Sequence, residues 1–209
     1  RQRLRGKRLA QLGDLDVLLS HGDTFDDGIV KPYHGIEWLE NTGGYPFVAR
    51  QLARMPGVHS AKAVDLDGDG DLDVAAAGFG YDDGETSWLE NEGQWKFEQH
   101  VLQRLSGAIN AVPADINADS RPDLVALISQ EWEEIWAFVN DGRGGFTQRM
   151  IWGSTNADFG SSWISVADMD RDGADAEIIY GCLMINELIV SAEHRAWANQ
   201  IYNDWAADF

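Results

Sequence analysis

The sequence predicts an all-β fold of tandem four-stranded units, and three observations carry that prediction. An acidic nine-residue loop recurs along the chain, a second short motif recurs in step with it, and short apolar runs bounded by turn residues lie between them. Self-similarity over tens of residues means that one supersecondary unit is stacked repeatedly, because a single unit cannot bury its own apolar face.

The loop Asp65-Leu-Asp-Gly-Asp-Gly-Asp-Leu-Asp73 returns as Asp115-Ile-Asn-Ala-Asp-Ser-Arg-Pro-Asp123 and begins again as Asp168-Met-Asp-Arg-Asp-Gly173. Its first residues are spaced by 50 (65 to 115) and then 53 (115 to 168). The second motif is Asn41-Thr-Gly43 with Phe47, repeated as Asn91-Glu-Gly93 with Phe97 and as Asn140-Asp-Gly142 with Phe146. Trp38-Leu-Glu-Asn41 and Trp88-Leu-Glu-Asn91 are identical.

Within each unit the pattern is β. His59–Val64 and Ile164–Ala167 alternate weakly ahead of the loops, and Val74–Ala77, Leu124–Ile128 and Ile178–Tyr180 follow them as short apolar runs. A third strand is read at Ser87–Glu90 and a fourth from Phe97 through Leu102, with Gly78, Gly80, Gly84, Gly93, Gly142 and Gly145 as punctuation. Four short strands in about 50 residues is the size of a propeller blade. The predicted architecture is therefore a partial β-propeller of about four blades, the first and last incomplete. A basic end covers residues 1–12, a partial blade 13–56, two blades with acidic loops 57–106 and 107–159, and the start of a further one 160–182. Residues 183–209 break the pattern. Ile185, Leu188, Ile189, Ala192, Ala196, Ile201 and Trp205 have spacings that suit a short amphipathic C-terminal helix.

The acidic loops point to a hard cation. Ca²⁺ takes six to eight oxygens, and side chains at positions 1, 3, 5 and 9 converge while the main chain turns and position 7 offers its carbonyl. In the first loop these are Asp65, Asp67, Asp69, Asp71 by its carbonyl, and Asp73. Five carboxylates in nine residues repel one another unless a cation neutralises them. An EF-hand would need a Glu at position 12, where this chain has Ala76 in an apolar β-type run. The second loop offers Asp115, Asn117, Asp119, the Arg121 carbonyl and Asp123, and is expected to bind more weakly. Ser120 stands there in place of a glycine, where a positive φ carries strain. The third offers Asp168, Asp170 and Asp172, with Glu177 closing the site after a one-residue insertion; Asp175 is the other residue in reach. Gly13–Val17 aligns with Gly70–Val74, but Arg8, Ala10 and Leu12 stand at the earlier ligand positions, so no metal site is expected there.

An Asp-x-Asp-Gly-Asp-Gly-x-x-Asp loop between short strands, followed by Asn-x-Gly and Phe, resembles the FG-GAP/VCBS repeats over residues 13–181. Those repeats build the seven-bladed propellers of integrin α-subunits and of many bacterial secreted or surface proteins. The resemblance implies Ca²⁺ ligation by the loop carboxylates on one face, and binding or adhesion rather than catalysis. It also implies that at least half of the ring is missing from this chain. Unpaired blade edges would then meet the missing blades or a second copy.

Composition narrows the partners. The chain has 35 Asp and Glu against 16 Lys and Arg, a net charge of −19, which argues against a phosphate backbone. Arg1, Arg3, Arg5, Lys7 and Arg8 are read as a chain end and not as a nucleic-acid arm. No apolar run reaches transmembrane length. Cys182 is the only cysteine, so no intrachain disulfide forms. Extracellular calcium modules bind at about 10⁻⁴–10⁻³ M, which points to a secreted, periplasmic or cell-surface protein with a protein or glycan ligand. The five histidines make no metalloprotease motif, and no nucleophile elbow or phosphate loop occurs, so no catalytic residue is assigned. The alternative is the scaffold of a secreted carbohydrate-active enzyme of lyase or dehydratase type, for which Lys31, Tyr33, His34 and Glu37 make only a thin case. Tyr33, His34, Asp26, Asp27, Tyr81, Asp82 and Asp83, on loops of neighbouring blades, are the residues that would line a ligand surface, against the plainer reading of ordinary turns.

Overall fold

The structure is a computed structural model that describes residues 15–22, 31–80, 83–129, 132–156 and 159–167. The chain divides into two units, Arg1–Ile179 and Tyr180–Phe209, and all described residues lie in the first. The readings of the third loop, of Cys182, of both chain ends and of a C-terminal helix fall outside the described residues.

Among the described residues the secondary structure is all strand, in three antiparallel sheets. The first holds β1 (Val17–His21), β2 (Gly35–Glu40) and β3 (Val48–Ala53) in sequential order. The second holds β4 (Val58–Val64), β5 (Asp73–Gly78), β6 (Glu85–Asn91) and β7 (Phe97–Gln103). The third holds β8 (Ala108–Ala114), β9 (Asp123–Ile128), β10 (Glu134–Asn140) and β11 (Phe146–Gly153). The acidic loops join β4 to β5 and β8 to β9. The stretch Ile164–Ala167, expected as the first strand of a further unit, forms no strand. Such a strand is held by the one that follows its loop, and that stretch lies outside the described residues.

The second strand of each full sheet shows why the repeat must stack. Every residue of β5 and β9 is buried. Along β5, Val74 and Ala76 join one apolar cluster with Ile36 and Met55 on the side of the first sheet. Their neighbours Ala75 and Ala77 face the opposite way, toward Leu124, Ala126, Phe138 and Ile128 of the third sheet. Successive side chains of a strand point to opposite faces, so a strand lying between two sheets reads as a continuous apolar run and not as an alternation. Leu89 and Trp88 on β6 divide in the same way, one to each cluster.

The repeated Trp-Leu-Glu-Asn can now be assigned residue by residue. Trp88 is buried, stacked on His100 (ring centroids 4.8 Å) and tilted against Phe146 of the next sheet at 6.1 Å. Trp38 meets Trp95 of the next sheet at 4.0 Å, with the Arg50 guanidinium 4.1 Å above the Trp95 ring. Glu40 accepts from Arg50 at 2.8 Å, and Glu90 pairs with His100 at 2.7 Å, each across the adjacent strand. A side chain on Gly144, whose φ is +80°, would crowd the Trp88 ring, so the turn between β10 and β11 keeps a glycine there. Both tryptophans therefore belong to the packing between sheets.

The second and third sheets are also joined by main chain: Gly107 N–H donates to Phe79 C=O at 2.8 Å, while Phe79 N–H to Gly57 C=O and Ser129 N–H to Gly107 C=O continue the β4–β5 and β8–β9 pairings. At the next step a side chain takes over. The buried Glu133 carboxylate accepts Gly160 N–H on Oε1 at 2.9 Å and Ser161 N–H on Oε2 at 3.2 Å.

Candidate metal centre

The first acidic loop folds around its own carboxylates. Asp65 accepts Gly68 N–H on Oδ1 at 2.8 Å and Gly70 N–H on Oδ2 at 3.1 Å. Asp67 accepts Asp69 N–H at 3.0 Å, and Asp69 accepts Asp71 N–H at 2.8 Å. These short side-chain-to-backbone bonds are what Asp favours in turns. Gly68 and Gly70 supply φ values of +78° and +91°, a region that side chains disfavour. The result brings oxygens of Asp65, Asp67 and Asp73 to within 4.8 Å of one another. Among the described residues no other three His, Cys, Asp or Glu side chains gather so closely. Asp69 stays outside this trio, and Asp71 lies at the exposed turn.

Asp73 differs from the other members. It is buried, and both oxygens are used by the main chain: Oδ2 accepts Leu66 N–H at 2.9 Å and Oδ1 accepts Asn91 N–H at 2.8 Å. Asn91 answers with its own side chain, donating to Leu72 C=O at 3.0 Å and accepting Gly93 N–H at 3.0 Å. The same latch recurs as Asp123 with Ile116, Asn140, Pro122 and Gly142, and in the first sheet as Asp16 with Asn41, Leu15 and Gly43. This explains why two separate motifs keep one period: the last Asp of the loop and the Asn of the hairpin are two halves of one clasp. Sequence reading placed Asp73 and Asp123 only as metal ligands and missed the Asn partners. In the two acidic loops their near-constant separation from the last Asp, 18 and 17 residues, was the available signal. Asn140 extends the clasp between sheets, donating also to Leu66 C=O at 2.7 Å.

The electrostatics of the first loop favour a cation. Burial pushes the Asp73 carboxyl up to about 6, against the Asn91 and Leu66 N–H groups and with added repulsion from Asp67 and Asp69. Asp67 is also raised, by desolvation first, opposed by the Asp69 N–H and reinforced by Asp69, Asp65 and Glu90. Carboxylates held above their ordinary range by burial and like charge are those that an added cation stabilises. Hard oxygen donors on a short loop suit Ca²⁺.

The second loop repeats the backbone pattern with different side chains. Asp115 accepts Asp119 N–H at 3.1 Å and Ser120 N–H at 2.7 Å, Asn117 accepts Asp119 N–H at 3.0 Å, and Asp119 accepts Arg121 N–H at 3.0 Å. Ala118 and Ser120 occupy the glycine positions at φ of +60° and +68°. The strain expected at Ser120 is therefore present, and Ala118 shares it. Ala118→Gly and Ser120→Gly are each expected to stabilise the chain by about 0.5–1 kcal/mol, the αL penalty less the added backbone entropy. A rise in the urea midpoint at unchanged slope is the confirming measurement.

Of the residues weighed for an enzyme, Lys31, Tyr33, His34 and Glu37 lie among the described residues, and Lys31 C=O accepts His34 N–H at 3.0 Å. His34 is buried beneath Tyr33, which is exposed and meets it edge-on at 5.1 Å. Glu37 lies on β2, 3.9 Å from His21. Asp26, Asp27, Tyr81 and Asp82 fall outside the described residues, as do Asp168, Asp170, Asp172 and Glu177 of the third loop.

A family model described as FG-GAP-like repeat matches the chain twice, over residues 65–126 and 115–179, together more than half of its length. The first match begins at Asp65, the first residue of the first loop, and the second at Asp115, so the two follow the repeat seen in the sheets. No curated protein matches the chain, and no solved structure does.

Proposed function

This chain belongs to the FG-GAP-like repeat family, and from that premise we propose that it is a calcium-stabilised part of a β-propeller acting as a non-catalytic binding or adhesion module outside the cell. The observation that carries the reading is the trio Asp65, Asp67 and Asp73, drawn together between two strands with two of its members raised in pKa. Those three, with Asp69 and the Asp71 carbonyl, would hold the ion. A bound divalent cation neutralises the loop and ties the end of β4 to the start of β5. Its benefit to the fold scales with calcium concentration, about 1.4 kcal/mol at millimolar calcium for a Kd near 10⁻⁴ M. That range belongs to secreted, periplasmic and surface proteins.

The propeller reading is supported by the way the second sheet is buried on both faces, by the first sheet on one side and the third on the other. Apolar side chains left exposed at the outer sheets, among them Val17 and Leu19 on β1 and Met150, Ile151 and Trp152 on β11, suit further blades. The ligand surface would be a protein or glycan site on the loops, where a strongly acidic chain disfavours nucleic acid. No helix among the described residues is long and apolar enough to cross a membrane.

Calorimetric titration with calcium tests the core of this reading. Saturable binding below millimolar, with one site fewer in the Asp67→Ala, Asp69→Ala double variant, is the expected result. No heat of binding up to several millimolar would remove the calcium assignment. A glycan screen that reads binding and release of unsaturated products together tests the other half, and turnover there would overturn the non-catalytic reading.

A further inference from the structure

We propose that the second loop is closed without calcium, by the guanidinium of Arg121 acting as a tethered cation. Arg121 stands where the first loop has Asp71. Its Nη2 donates to Oδ2 of Asp119, the loop's fifth-position carboxylate. Its Nε donates to Asn140 C=O at 3.3 Å. The aliphatic stem runs over Gly142, where any side chain would collide with it. Asn140 is the residue whose amide reaches Pro122 C=O and Leu66 C=O. One side chain therefore joins the acidic loop to the clasp that holds adjacent sheets together.

Charge makes the case quantitative. The first loop carries Asp65, Asp67, Asp69, Asp71 and Asp73 with no basic residue, whereas the second carries Asp115, Asp119 and Asp123 against Arg121. The trio that gathers in the first loop has Asp115, Asn117 and Asp123 as its counterpart, so the middle carboxylate is already gone. The main chain nevertheless adopts the same sequence of turns, with Ser120 N–H on Asp115 matching Gly70 N–H on Asp65. A planar guanidinium satisfies a carboxylate and a carbonyl directionally. Being covalently attached, it needs no free-ion concentration. Calcium dependence is thereby confined, among the described loops, to Asp65–Asp73, and the junction between the second and third sheets stays closed when calcium is withdrawn.

Two measurements on the whole chain decide this, and neither depends on the first loop binding. The number of calcium ions bound at 2 mM by equilibrium dialysis is compared between the parent chain and Asp115→Asn. Thermal unfolding in excess EGTA is compared between the parent chain, Arg121→Gln and Arg121→Lys. The expected results are an unchanged calcium count for Asp115→Asn and a melting temperature lowered by about 2–4 °C for Arg121→Gln, partly restored in Arg121→Lys. A count that drops by one in Asp115→Asn overturns the proposal, because the loop then holds an ion. An unchanged melting temperature for Arg121→Gln in EGTA also overturns it, because the guanidinium then closes nothing. If Asp65→Asn leaves the count unaltered, the calcium reading of the first loop fails on its own, and the EGTA melts still decide the role of Arg121.

Discussion

Asp123→Ala is expected to destabilise the chain by about 3–5 kcal/mol even in excess EGTA, lowering the melting temperature by roughly 10 °C. Asp123 is fully buried and each oxygen receives one main-chain donor, Asn140 N–H at 2.7 Å and Ile116 N–H at 3.1 Å. Hydrogen bonds to an ionised acceptor are worth about 1.5–3 kcal/mol each, and removing the acceptor leaves two donors without a partner. Asp123→Asn keeps one acceptor oxygen and should recover part of the loss. The metal-free buffer is the discriminating condition. A residue that served only as a calcium ligand would cost nothing there, so an Asp123→Ala chain that melts with the parent in EGTA would refute the clasp.

Calcium is expected to raise the melting temperature by about 3–6 °C at pH 7.5 and to lose that effect as the pH falls below 6. The magnitude follows from about 1.4 kcal/mol per site at millimolar calcium, spread over a chain of this size. The pH dependence follows from Asp73, pushed up to about 6 chiefly by burial. A carboxyl raised above its unfolded value favours the neutral form in the fold. Its contribution to metal-free stability is therefore fully present below the unfolded value near 4 and is lost as pH rises through 6. That loss amounts to about 3 kcal/mol. Calcium requires the ionised form, so binding strengthens over the same interval. Melting curves in EGTA and in calcium should converge between pH 6 and 4. Asp115 and Asp141 are held below the ordinary range, Asp115 by four backbone N–H donors that outweigh its desolvation and Asp141 by the Arg143 and Gly145 N–H groups. What they contribute is lost only below about pH 4, outside this window. In the Asp67→Ala, Asp69→Ala variant the calcium gain should shrink at every pH. A gain that persists undiminished at pH 5 would show that Asp73 takes no part in the site.

The repeat itself was legible because each of its parts answers a local requirement. Asp at alternate loop positions with Gly68 and Gly70 between them specifies a turn that folds around its own carboxylates. The apolar runs Val74–Ala77 and Leu124–Ile128 are too short for a helix and too continuous for a half-exposed strand, and both proved to be strands buried on two faces. The identical Trp-Leu-Glu-Asn segments signalled a common environment.

The division of labour within those segments was settled only by tertiary structure. Nothing local distinguishes an Asp that stays in the loop, such as Asp67, from one that gathers with it but is also buried and clasped to a hairpin 18 residues away, such as Asp73. The difference lies in the place of Asp73 at the start of β5, and in a partner, Asn91, brought near by sheet pairing. Arg121 reads in the sequence as a positive intrusion into an acidic loop. Folding directs its side chain to Asp119 and Asn140 and makes it part of the closure. Glu133 carries no motif at all, yet it is buried and grips the main chain 27 and 28 residues ahead. Periodicity and turn chemistry act over a few residues, so the sequence by itself determined the strands, the loops and the fact of repetition. Burial and pairing between distant segments depend on how sheets are set against one another, so the roles of the clasp, the tethered cation and the buried carboxylate were decided by the tertiary structure alone.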